Sequence, residues 1–198
     1  MTEEKYHFEK NVFSREDYNF EFSPDENIIK EILKYKKLGK VLDLGCGEGG
    51  TTLKLAELGF DVTCVDISKT VIKKLKKEAE KKMIKINSII ADLENYPIRE
   101  DYDIIISTGT FHFLSEKSLR ELLEDCKKKT NNKGLNIFKV LLEGDPSQED
   151  DSEGYYFKLK ELKEIYSEWN ILNYEEFEEY DEDEEWNNKI GFLIAQKN

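Results

Sequence analysis

Val41-Leu42-Asp43-Leu44-Gly45-Cys46-Gly47-Glu48-Gly49-Gly50 is the stretch from which the fold of this chain is read. An apolar run carrying one acid enters a glycine-rich turn, and a helical pattern over 48–58 follows. A short buried strand that passes through glycines into a helix opens a strand–helix–strand unit. Glycine in that place lets the backbone approach a ligand where a Cβ would collide.

Working outward, Val62-Thr63-Cys64-Val65 reads as a second strand, and Ser68 caps a lysine-rich helix with Val71, Ile72 and Leu75 inward. Residues 84–90 form a third strand and Tyr102-Asp103-Ile104-Ile105-Ile106 a fourth, with Leu119, Leu122 and Leu123 on the helix after it. Residues 135–142 are the fifth strand, 158–166 a helix, and 171–177 and 189–195 the last two strands. No helix separates those last two, so they are expected to pair as an antiparallel hairpin at one edge. Upstream, a helix from about Pro24 turns Ile28, Ile29, Ile32, Leu33 and Leu38 inward and ends at Gly39. Strands alternating with helices at this spacing predict a parallel sheet with right-handed crossovers. The expected class is therefore α/β: a doubly wound, Rossmann-like, seven-stranded, mostly parallel sheet with an antiparallel edge hairpin. Residues 1–38 are read as an aromatic segment and helix forming a lid or cap, and 39–198 as the ligand-binding domain.

Composition narrows the class of function. The 198 residues carry 30 basic and 43 acidic side chains, a formal charge of −13. Such a chain repels a phosphate backbone, so no nucleic-acid partner is expected. No apolar run approaches the roughly 20 residues a bilayer requires. Met1-Thr2-Glu3-Glu4-Lys5 has no apolar signal region. Cys46, Cys64 and Cys126 are too few and too scattered for a disulfide framework or a paired-cysteine metal site. The expectation is a cytoplasmic protein, monomer or homodimer, acting on a small molecule without a metal.

In a doubly wound sheet, ligands bind outside the carboxyl ends of the strands, where the strand order reverses. The turn Gly45-Cys46-Gly47 lies there. Gly45, Gly47 and Gly50 also satisfy the dinucleotide fingerprint, so the glycines alone do not choose a cofactor. Asp43 does. Its carboxylate would repel a pyrophosphate in a partly dry site, whereas it favours the ammonium of an amino-acid cofactor. S-adenosylmethionine carries that cation and NAD does not. Asp66 ends the second strand, where an acid accepts hydrogen bonds from the ribose hydroxyls. Asp92 follows the third strand and can accept from an adenine amino group, with Ile67 and Leu93 sandwiching the ring. A turn or cap role for Asp92 is an equal reading of that residue alone.

These residues together resemble a class I S-adenosylmethionine-dependent methyltransferase. The likeness rests on residues 41–49, then Asp66, Ala91-Asp92-Leu93 and Tyr102-Asp103-Ile104-Ile105 in that order. Within that superfamily the chain is similar to the tellurite-resistance methyltransferases. The stretches that carry this are residues 39–47, Ile106-Ser107-Thr108 with Phe113-Leu114, and Phe157-Lys158 with Glu161-Leu162, Tyr166, Trp169 and Tyr174-Glu175. The resemblance implies methyl transfer to small, soft acceptors: thiols, or tellurium and selenium oxyanions. It also makes Tyr18 the residue best placed over the site if the aromatic segment is a lid, the competing reading being a segment held permanently on the sheet or helix surface by its aromatics, and it implies His and Arg in the last hairpin. This chain departs there, because residues 175–185 hold nine acids in eleven positions. Residues 145–153 hold five acids in nine. The two stretches together either steer a cationic acceptor such as an amine or are solvated loops.

Residues 107–113, Ser107-Thr108-Gly109-Thr110-Phe111-His112-Phe113, face the methyl group in this fold class. Thr108 is a further candidate cofactor contact. His112 is a candidate base, with packing or capping the competing reading, and Phe111 and Phe113 are candidate apolar walls. No Asn-Pro-Pro-Tyr motif is present, which disfavours an exocyclic base nitrogen or a protein amide as acceptor. A nicotinamide-linked oxidoreductase and a non-catalytic S-adenosylmethionine-binding module remain as alternatives.

Overall fold

The computed structural model describes residues 22–149, 154–181 and 185–198. They fall into two compact units, one ending at Tyr96 and the next beginning at Pro97. The expected aromatic lid, including Tyr18, lies almost wholly outside the described residues.

In the first unit, helix α1 (Glu26–Tyr35) starts where the Asp25 carboxylate accepts from the amides of Asn27 and Ile28, both at 3.0 Å. This cap fixes the start, so Pro24 stands outside the helix instead of in its first turn. Ile28, Ile29 and Ile32 are buried, but Leu38 falls beyond the last turn and is 65% exposed, not on the apolar face. Strand β1 (Lys40–Leu44), helix α2 (Gly50–Glu57), strand β2 (Asp61–Asp66), helix α3 (Lys69–Lys81) and strand β3 (Asn87–Ile90) complete the unit. β1 pairs β2 and β2 pairs β3, both parallel, with Asp43 beside Cys64 and Asp66 beside Ile90. Leu53, Cys64, Ile72, Leu75 and Ala79 form one buried cluster. β3 is shorter than its sequence pattern. The amide of Ile84 still bonds the Ala79 carbonyl at 3.0 Å, and Ile84 and Ile86 pack on that cluster.

The second unit holds strand β4 (Tyr102–Thr108), helix α4 (Glu116–Lys129), strand β5 (Thr130–Leu141), helix α5 (Glu161–Ile165), strand β6 (Asn170–Asp181) and strand β7 (Trp186–Gln196). β4 and β5 are parallel, whereas β7 pairs antiparallel with both β5 and β6. The seven strands run in the order β3-β2-β1-β4-β5-β7-β6, which is the expected mostly parallel sheet with an antiparallel edge. α5 begins later than the helical pattern at 158 because Lys160 is left-handed, φ 64°. β5 begins earlier than expected, directly where α4 ends, with a register shift against β4 between Tyr102 and Ile104. β6 and β7 run further than expected. Glu178 stands opposite Lys189 and Glu179 opposite Asn188, so much of the acidic stretch is ordered strand and not hairpin tip. Among the described residues no helix is long and apolar enough to cross a membrane.

A buried polar chain ties this unit together. The Tyr166 hydroxyl donates to Asn136 Oδ1 at 2.8 Å, Asn136 Nδ2 donates to Thr130 Oγ1 at 2.7 Å, and Thr130 Oγ1 donates to the Cys126 carbonyl at 2.6 Å. Tyr166→Phe strands the Asn136 carbonyl in an apolar core and is expected to cost about 1–3 kcal/mol in urea unfolding.

Candidate cofactor site

The candidate site is built where β1 gives way to α2. The amides of Gly45 and Cys46 both donate to the Val65 carbonyl, at 2.8 and 3.1 Å, so the turn leans on the end of β2. The amide of Gly49 closes it on the Cys46 carbonyl at 2.9 Å. The helix starts at Gly50, later than the pattern from 48, because Gly49 is left-handed, φ 78°.

Two glycines do different work here. Gly47 has φ 49°, and a Cβ there would meet nothing within 4 Å, so its front is open. Gly50 is closed: a Cβ would lie 2.1 Å from the Ser23 carbonyl oxygen. The position that completes the dinucleotide fingerprint therefore admits the backbone of residues 22–23. The Asp25 amide, donating to Thr51 Oγ1 at 3.0 Å, pins the same segment to α2.

Asp43, Gly45, Cys46, Gly47 and Asp66 are brought together as the sequence pattern requires. Asp43 is 5% exposed, and its Oδ2 accepts from the Thr52 hydroxyl at 2.5 Å. Burial pushes its carboxyl up from 3.8 to about 7, against the Thr52 hydrogen bond and with the charge of Asp66 adding to the rise. Thr52 is a partner the sequence reading missed; it stands nine residues beyond Asp43 on the first turn of α2. Asp66 Oδ2 accepts from the Gly47 amide and Oδ1 from the Ser68 amide, each at 2.9 Å. Both bonds hold the carboxylate at the end of β2, the position at which an acid meets a ribose in sheets of this class. Cys46 turns its thiol inward against the cluster around Cys64, which leaves its backbone to line the turn.

Further along, the amide of Ala91 donates to the Asp66 carbonyl at 3.0 Å and draws the next segment to the end of β2. Asp92 there caps the short turn Leu93–Asn95, with Oδ1 accepting from the Glu94 amide at 3.0 Å. Ile67 is half-buried and Leu93 is 7% exposed. An open glycine turn flanked by one buried and one strand-end carboxylate fits a ligand with a cationic amino-acid end and a ribose. Among the described residues no three His, Cys, Asp or Glu side chains converge as a metal site.

In the second unit, Thr108 ends β4 and its carbonyl accepts from Thr110 Oγ1 at 3.1 Å. His112 lies in the turn Phe111–Phe113; its ring centroid is 3.9 Å from Phe113 and 6.0 Å from Tyr156. Its carbonyl accepts from the Tyr155 amide at 3.0 Å. Phe111 is not a pocket wall, since it is 1% exposed and packs edge-on against Phe138 at 5.1 Å. Asp145 is not a solvated steering charge either. It is 2% exposed and accepts from the amides of Ser147, at 3.0 Å, and Lys189, at 2.7 Å. Tyr18 lies outside the described residues.

Comparison with known proteins agrees with this geometry. A family model described as "Tellurite resistance protein TehB" matches residues 6–196. The "Probable S-adenosyl-L-methionine-dependent methyltransferase TehB" of Haemophilus influenzae is 35% identical over 157 residues, covering 79% of this chain and 55% of that protein. The crystal structure of TehB from Haemophilus influenzae superposes with a TM-score of 0.79 at 30% identity, over 87% of this chain and 62% of that one. The chain thus spans about half the length of the curated relatives it matches. The N-methyltransferase NodS from Bradyrhizobium japonicum, solved in complex with S-adenosyl-L-homocysteine, shares the fold: its TM-score is 0.72 at 16% identity over 98% of both chains.

The two glycines predict costs of different origin. Gly50→Ala must move backbone and should destabilise by about 1–3 kcal/mol in urea unfolding. Gly47→Ala adds only left-handed strain, about 1–2 kcal/mol, and should leave the turn's neighbours in place. Asp43 predicts a pH dependence. Its stability contribution is fully present below about pH 3.8 and is lost as pH rises through about 7, because the folded state holds the proton that the unfolded chain releases. Asp43→Asn should therefore gain stability relative to the parent between those limits, read from urea midpoints across that range.

Proposed function

The chain belongs to the tellurite resistance protein TehB family, and from that premise we propose that it is an S-adenosylmethionine-dependent methyltransferase acting on a small-molecule acceptor. The observation that carries the reading is Asp43, a buried acid directly beside an open glycine turn. A pyrophosphate cofactor would meet that acid as a like charge; the ammonium of S-adenosylmethionine meets it as a counter-ion.

Asp43 and the backbone of Gly45, Cys46 and Gly47 hold the amino-acid end, Asp66 the ribose, and Asp92 the adenine amino group between Ile67 and Leu93. Thr108 is kept as a further candidate cofactor contact. When bound, the cofactor supplies an electrophilic methyl group on a good, neutral leaving group. The chain's own task is to align the acceptor and keep water out. A thiol or chalcogen oxyanion needs no protein base, whereas an amine gains from one, and His112 is the side chain for that role. The aromatic residues from Tyr6 to Phe22, Tyr18 among them, are assigned the lid role that the resemblance implies. Three free cysteines suit a reducing, cytoplasmic setting.

Calorimetry tests the cofactor. S-adenosylhomocysteine should bind and NAD should not. Asp66→Ala should raise the dissociation constant about 10- to 100-fold while leaving the melting curve two-state, the loss expected for hydrogen bonds to a charged group. Unchanged affinity would put the ribose elsewhere. An S-adenosylhomocysteine-release screen with thiols, amines, selenite and tellurite then ranks the acceptors.

A further inference from the structure

Two of the three cysteines meet behind the cofactor turn. Cys46 lies between Gly45 and Gly47, and Cys64 lies on β2 beside Asp43. Their thiols are in hydrogen-bond contact, and Cys46 packs against the buried cluster that contains Cys64, Leu53, Ile72, Leu75 and Ala79. The contact with Cys64 and burial, with Asp43 and Asp66 adding, raise the Cys46 thiol well above its usual range. A reactive thiolate is thus disfavoured, and the pair is poorly suited to rapid peroxide chemistry.

We propose that Cys46 and Cys64 form a two-coordinate site for a soft, divalent, closed-shell cation of the Hg(II) type, whose occupation antagonises cofactor binding. The charge balance selects the ion. A divalent cation displaces two thiol protons to the solvent and forms two metal–sulfur bonds, so the neutral dithiol becomes a neutral bis-thiolate. A monovalent soft cation would leave a net negative charge between Asp43 and Asp66, in a site that already disfavours one. Zinc and its harder relatives want about four ligands, and among the described residues no third His, Cys, Asp or Glu joins the pair.

The coupling to the cofactor is mechanical. Two sulfurs bridged in line through a metal stand further apart than two thiols in contact. Cys64 is fixed in a central strand, so the displacement falls on Cys46 and on the turn whose amides lean on Val65 and Asp66. This consequence rests on the turn being the cofactor site; the metal site itself does not.

The test uses the full chain under argon with Hg(II) as the probe. One equivalent should bind with loss of two of the three titratable thiols and appearance of a thiolate-to-metal absorption band. It should withstand a monothiol competitor and be removed by a dithiol. Cys64→Ala and Cys64→Ser should each lose the adduct to the monothiol, and Cys126→Ala should keep it. Zn(II) should neither bind at the pair nor displace Hg(II). The loaded protein should bind S-adenosylhomocysteine at least about tenfold more weakly, with full recovery after dithiol. An adduct that survives in both Cys64 variants, or is lost in Cys126→Ala, overturns the site. Unchanged S-adenosylhomocysteine affinity in the loaded protein overturns the antagonism. Failure of the metal-free protein to bind S-adenosylhomocysteine at all would instead count against the cofactor reading and leave the thiol stoichiometry standing.

Discussion

The Asp66 carboxylate holding the Gly47 amide is the contact on which the architecture of the site turns. A glycine-rich turn between a strand and a helix has few side chains of its own to fix its path. Here its path is fixed from the neighbouring strand: the Val65 carbonyl takes two amides of the turn, and Asp66 takes a third. Because β1 and β2 are parallel and in register, those acceptors arrive at the height where the turn needs them. The same carboxylate anchors the start of the next helix through the Ser68 amide. One acid thus joins two strand–helix junctions.

Asp43 answers a different constraint. A carboxylate buried beside a strand end is costly when charged unless something positive or hydrogen-bonding meets it. Thr52 supplies one hydrogen bond, which does not offset burial, and Asp66 nearby makes the balance worse. Nothing in the folding of the domain calls for an acid at that position; an asparagine would bond Thr52 as well. The cost becomes intelligible if a cation visits the site, since a counter-ion offsets the burial of a carboxylate.

The residues that could be read from sequence were those whose identity is forced by local chemistry. The strand order followed from alternation and spacing, and the grouping of Asp43, the glycine turn and Asp66 followed from strand ends falling on one side of a parallel sheet. What escaped was whatever depends on contacts between distant segments. Gly50 looks like a phosphate-binding glycine, yet its missing side chain makes room for Ser23, far off in sequence. Phe111 looks like a pocket wall, but Phe138 on β5 draws it into the core. Asp145 looks like a solvated acid in an acidic loop, until the Lys189 amide closes on it from β7. Periodicity reports which face a residue takes and cannot report who waits on that face.

The acidic stretch shows the same limit in reverse, and it bears on the acceptor. Composition alone suggests a charged tip that repels an oxyanion or attracts a cation. In the sheet, Glu175, Glu176, Glu178 and Glu179 belong to an ordered edge strand, divided between its two faces, with Lys189 opposite Glu178 and Lys139 paired to Glu179. Charges spread over both faces of a strand and partly neutralised cast a weaker field than the same charges gathered at a tip. Charged side chains on an exposed edge also discourage pairing with another sheet, which gives these acids a reason to be present that owes nothing to substrate. The departure from the basic residues expected in this hairpin therefore weakens the case for an oxyanion acceptor without establishing a cationic one.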